Sequence, residues 1–115
     1  MGKRLHVVKQ QEKYGNAEYF NWKYNEFADL LIALDCDICT NDEYNKERFE
    51  LETKEFEKAM EYVKQIKEGK TDFEYIDVED LDFEELGGID YVLEAMEVFY
   101  KQRDKESGWM IFVAW

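Results

Sequence analysis

Two cysteines, Cys36 and Cys39, form a C-x-x-C within Asp35-Cys-Asp-Ile-Cys39. That spacing could supply half a zinc site or a redox dithiol. A closed zinc site needs four ligands, and His6 is the only histidine the chain adds to the two thiols. Redox work needs a thiol that ionises easily, helped by nearby cations or a helix N-terminus. Here two aspartates flank Cys36, and the pair follows the expected negative end of a helix; both raise a thiol pKa. Two small residues at a helix exit, at least one of them buried, is the expected reading.

Carboxylates are the other plentiful chemistry. An EF-hand loop requires acids at positions one, three and five, glycine at six and glutamate at twelve. Loops started at Asp35, Asp77 or Asp80 place Thr40, Asp82 or Glu85 at position six, so each fails. Paired carboxylates could also catalyse hydrolysis, but with 28 acids present pairs are expected by chance. Nucleophilic catalysis is poorly supplied, since His6 and the single serine, Ser107, lie at opposite ends of the chain. No phosphate-loop, dinucleotide or nucleophile-elbow motif occurs. The expectation is a protein that is not an enzyme and holds no metal or cofactor.

The distribution of charge is more informative. Between Thr71 and Tyr100 the chain carries eleven Asp and Glu and no Lys or Arg, in a protein of formal net charge -13. Outside that stretch 17 acids meet 15 bases. Such a localised field points to a partner better than a diffuse one. It repels phosphates and anionic lipid, so direct contact with nucleic acid or membrane is not expected. Interspersed signs serve solubility well, whereas unopposed carboxylates repel at about 0.2–0.5 kcal/mol per close pair on a helix. The sharper expectation is an inhibitor or regulator that occupies a basic partner surface, including one built for nucleic acid. The contact set is Asp77, Asp80, Asp82, Glu84, Asp90, Glu94 and Glu97. The plainer alternative is a solvated face that keeps an aromatic-rich protein soluble.

These residues need elements to hold them. At 115 residues, 45% hydrophobic and 17% aromatic, the chain can bury a single core and is too apolar for a disordered acidic tail. One domain, 1–115, is expected. There is no apolar run of membrane-spanning length and no signal-peptide pattern, which favours a cytoplasmic protein. Strand signals fall at 3–12 and 17–23 around Gly15-Asn16, a hairpin turn pair. Leu5 and Val7 lie on one face of the first strand, His6 and Val8 on the other.

Phe27, Leu30, Leu31 and Leu34 make an apolar helical stripe over 25–35, with Asn25 as N-cap. Residues 36–46 read as a loop. Phe49 and Leu51 alternate with acids as a short strand. Thr53 then caps a helix to Glu68 that presents Phe56, Ala59, Met60 and Val63, and Gly69 stops it. Residues 73–78 are ambiguous between strand and turn, with a helical turn near 79–86 broken by Gly87-Gly88. A third helix over 89–105 has Ile89, Val92, Leu93, Met96, Phe99 and Tyr100 on one face, with Asp90, Glu94 and Glu97 opposite.

The last run, 109–115, alternates Trp109, Ile111, Val113 and Trp115 with Met110, Phe112 and Ala114. Both faces are apolar, as in a central strand covered twice or one that meets another chain. That gives the rival reading: a structural protein forming a homodimer through Trp109, Ile111, Val113 and Trp115. Tyr14, Tyr19, Phe20, Trp22, Tyr24 and Phe27 crowd the hairpin and its exit, as core or as interface. The expected fold is α+β: a small, mostly antiparallel sheet from an N-terminal hairpin and the C-terminal strand, packed on about three amphipathic helices, with the first and last strands as neighbours.

Overall fold

The computed structural model describes residues 5–9, 12–13, 23–40, 42 and 45–114. The fold is α+β. Strands β1 (Leu5–Lys9), β2 (Glu12–Lys13), β3 (Cys39–Thr40), β4 (Arg48–Glu52) and β5 (Trp109–Ala114) form one sheet in the order β2-β1-β5-β4-β3. Every neighbouring pair is antiparallel. Helices α1 (Tyr24–Ala33), α2 (Thr53–Lys67) and α3 (Ile89–Gln102) supply the other layer, and two 3-10 turns, Val78–Asp80 and Glu84–Leu86, join α2 to α3.

The alternation in the strands decides which face the helices cover. Leu5, Val7, Phe49, Leu51, Met110, Phe112 and Ala114 are buried, while their neighbours Arg48 and Trp109 are exposed. Phe112 sits at the middle of the core on the central strand. Phe49 of β4 stacks on it at 4.9 Å between centroids, and Phe99 of α3 meets it edge-on at 5.3 Å. Phe56 of α2 lies at 5.6 Å and Phe27 of α1 at 6.1 Å. One ring from each helix thus converges on one strand residue, and ring pairs at such distances add to the burial of their area.

The first and last strands are neighbours, with Leu5 opposite Ala114 and Val8 opposite Ile111. The hairpin differs from expectation. Strand β1 stops at Lys9, which pairs with Glu12, so the chain first reverses before Gly15-Asn16 and 3–12 is not one strand. The apolar alternation ends at Val8, and the polar run Lys9-Gln10-Gln11-Glu12 offers a longer strand nothing to bury. The expected strand at 17–23, apart from Lys23, the Gly15-Asn16 turn, Tyr14, Tyr19, Phe20, Trp22 and Trp115 lie outside the described residues.

Caps depart from the sequence reading in two places. Lys23, not Asn25, precedes α1, and the Asn25 side-chain oxygen instead accepts from the Lys46 amide at 2.6 Å. Glu52 precedes α2, while Thr53 is its first residue, its amide donating to the Gly108 carbonyl at 2.8 Å. Strand β4 runs into α2 without a linker, so its last residue, Glu52, occupies the capping position and its side chain makes no capping hydrogen bond. At the other end Gly69, at φ 105°, closes α2 as expected: Lys70 N–H bonds to Gln65 O and Gly69 N–H to Ile66 O.

Residues 36–46 are not wholly loop, because Cys39 pairs with Glu50 and Thr40 with Phe49 to add β3 at the sheet edge. No strand forms at 73–78. Helix α3 ends at Gln102, short of 105. Arg103 turns extended there, its guanidinium over the Tyr100 ring at 3.7 Å, and the buried Asp104 accepts from the Glu106 amide. No helix among the described residues is long and apolar enough to cross a membrane.

Candidate acidic surface

The acidic stretch is held to the core by regularly spaced apolar anchors. Ile76, Leu81 and Leu86, five residues apart, are buried, and Phe73 and Phe83 pack against the core. Between them every carboxylate from Asp72 to Glu97 is exposed. The field therefore belongs to a segment pinned at short intervals and is carried in a fixed pattern.

Two of the seven expected contact residues also shape the backbone. Asp77 Oδ1 accepts from the Glu79 amide at 3.0 Å, and Asp82 Oδ1 accepts from the Glu85 amide at 3.1 Å. Asp77 thus caps the first 3-10 turn, while Asp82, one residue before the cap position Phe83 of the second, satisfies a donor inside it. On α3, Asp90, Glu94 and Glu97 are exposed while Val92, Leu93, Ala95, Met96 and Phe99 are buried, as the helical spacing requires.

The stretch is less unopposed than its sequence. Lys67 at the end of α2 reaches Asp90 at 2.8 Å, and Lys23 before α1 pairs with Glu85. Both lysines have raised pKa values, through hydrogen bonds to those carboxylates and then through their charge. These partners come from other elements, so a count along the chain could not find them. Among the described residues Asp80, Glu84, Glu94 and Glu97 have no ion-pair partner.

Folding also brings acids that the sequence did not group. Asp80, Asp82 and Glu85 line an open hollow of about 190 Å³ with Glu26 and Asp29 of α1, over Leu30 and Ala33. Asp29 is paired with Lys46 at 3.2 Å, while Glu26 Oε2 is buried without a described partner. The carboxylates thus fall into two sets, the turns with the first half of α1, and the outer face of α3. Glu26 and Asp29, three residues apart, flank the apolar stripe of α1 on the side of Leu30 and Ala33, and that spacing is the available signal.

The C-x-x-C residues occupy unlike environments. Cys36 is buried, its Sγ donating to the Glu55 carbonyl at 3.4 Å, and Cys39 is exposed on β3; both are free thiols. Burial pushes the Cys36 thiol up to about 12, with Glu55 and Asp35 adding to the rise and Lys58 opposing it. No group of three His, Cys, Asp or Glu among the described residues is placed to hold a metal ion. On β5, Trp109 is exposed while Ile111 and Val113 are half-buried. Compared with protein-family models, with curated proteins and with solved structures, the chain matches none of them, and its function is read from its own residues.

Proposed function

We propose that the protein is a non-catalytic binding protein whose acidic surface occupies a basic surface of a partner protein, acting as an inhibitor or regulator. The observation that carries this reading is that every carboxylate from Asp72 to Glu97 is exposed, on a segment anchored by Ile76, Leu81 and Leu86. A fixed array of one sign attracts a complementary array and speeds its docking. Neighbouring acids on one helix face stand about 5–6 Å apart, a closely spaced row of single negative charges of the kind a nucleic acid strand also presents. A groove built for nucleic acid is therefore a suitable counterpart. The contact residues are Asp77, Asp80, Asp82, Glu84, Asp90, Glu94 and Glu97, with Glu26 of α1 beside them.

The test is affinity capture from a lysate with the wild-type chain and with a Glu94→Lys/Glu97→Lys variant, at low and moderate ionic strength. Basic proteins should be retained by the wild type, released by salt and lost from the variant. A catch indifferent to both salt and charge reversal would sink the reading.

The rival, a homo-oligomer through Trp109, Ile111, Val113 and Trp115, draws less support. Strand β5 is the middle of the sheet with both backbone edges paired, and Ile111 and Val113 are already half-buried within one chain.

A further inference from the structure

At the opposite end of the sheet from β2, strand β3 is the edge among the described residues, and an open groove of about 820 Å³ runs beside it. Its walls come from both sides of the sheet. Phe49 and Leu51 face the helices, so Arg48 and Glu50 belong to the other face, with Cys39 opposite Glu50. The groove is lined by Arg48, Glu50 and Cys39 from that face, and by Ile32 and Ile38 from the helix side.

Ile32 is 48% exposed at the end of α1, one of three large apolar side chains so exposed among the described residues. Arg48 is exposed and has no ion-pair partner among them.

We propose that this groove takes an extended segment of a partner protein that adds a sixth strand to the edge of β3, with apolar side chains toward Ile32 and Ile38 and an acidic one toward Arg48. A strand laid beside β3 points alternate side chains to the two sheet faces, and the groove lining changes character in the same way. An exposed edge supplies the backbone donors and acceptors that such recognition uses. The preference is opposite in charge to that of the acidic surface, so this is a second interface and does not depend on the first.

The experiment selects a random octapeptide library on the purified full chain, then measures the enriched peptides against Ile32→Asp and Arg48→Glu variants whose folding is checked by circular dichroism. Peptides alternating apolar and acidic residues should be enriched, bind at least about tenfold more weakly to each variant, and slow amide exchange at Cys39 and Thr40. Enrichment of basic peptides alone would overturn this inference while favouring the acidic surface. Alternating peptides that bind both variants unchanged, or leave Cys39 and Thr40 exchange unaltered, would overturn it as well.

Discussion

Lys58 of α2 holds the turn at Asp35: its ammonium donates to the Asp35 carbonyl at 2.7 Å and lies 3.6 Å from the Asp35 carboxylate. Asp35, at φ 66°, is the one non-glycine residue with left-handed backbone among the described residues. It closes α1 as glycine closes α2: Cys36 N–H bonds to Leu31 O and Asp35 N–H to Ile32 O. The lysine thus ties α1's exit to α2 and satisfies a carbonyl that the tight turn turns outward. Replacing Asp35 with Val should cost roughly 1–2 kcal/mol, because a branched side chain meets the carbonyl in that conformation. Asp35→Gly should stay within about 0.5 kcal/mol of wild type, since relief of strain offsets the added freedom of the unfolded chain. Urea denaturation of the two variants decides it; equal losses would mean that side-chain contacts, not backbone strain, dominate.

Phe112 touches a ring from every helix and one from β4, so its removal loosens all layers at once. Phe112→Ala should lose about 3–5 kcal/mol, a large share of the roughly 5–15 kcal/mol that stabilises a domain. Chemical denaturation should show a much lower midpoint or no folded baseline. A loss below about 1 kcal/mol, within the range of a volume-conserving swap, would contradict the central role given to this ring.

Why the helices were legible and the edges were not follows from where information resides. The stripes Phe27-Leu30-Leu31-Leu34 and Phe56-Ala59-Met60-Val63 repeat at the helical period because one face of each must be dry. Strand β5 is legible for a different reason, its residues being β-prone throughout. By contrast β3 is two residues whose pairing is set by β4, ten residues away, and nothing local marks Cys39-Thr40 as a strand. Asn25 has the residue type of a cap but does not act as one, because its oxygen serves Lys46 across the fold. The acidic surface was visible as a count, but the lysines that temper it and the α1 carboxylates that extend it arrive only by folding.

The two thiols should differ in reactivity. Cys39 is exposed, whereas Cys36 is buried with its pKa pushed up to about 12. A disulfide-exchange reagent near pH 8 should modify one thiol quickly and the second only as the protein unfolds. The raised pKa also sets a sign. The folded chain holds the Cys36 proton more tightly than the unfolded chain, whose value is 9.0, so this contribution is complete below pH 9 and fades as pH rises toward about 12. The urea midpoint of wild type should therefore fall more steeply between pH 8 and 10.5 than that of Cys36→Ala. Parallel curves would show that the thiol does not titrate differently in the two states.

A surface kept acidic for binding should be improvable for stability. Glu94 follows Asp90 by one helical turn and precedes Glu97 by three residues, and all three are exposed. Their repulsion is of the order of 0.2–0.5 kcal/mol per pair. Glu94→Lys replaces two repulsions with two attractions on that face, and the buried side of α3 is untouched. The melting temperature should rise by a few degrees in low salt, and the gain should vanish near 1 M salt, where the screening length is only about 3 Å. The same variant should bind a basic partner less well. Opposite signs for stability and binding are what distinguish a field kept for recognition from one that merely solubilises the chain. If Glu94→Lys neither stabilises the fold nor weakens capture of basic proteins, the carboxylates of α3 are a solvated face and the contact lies elsewhere.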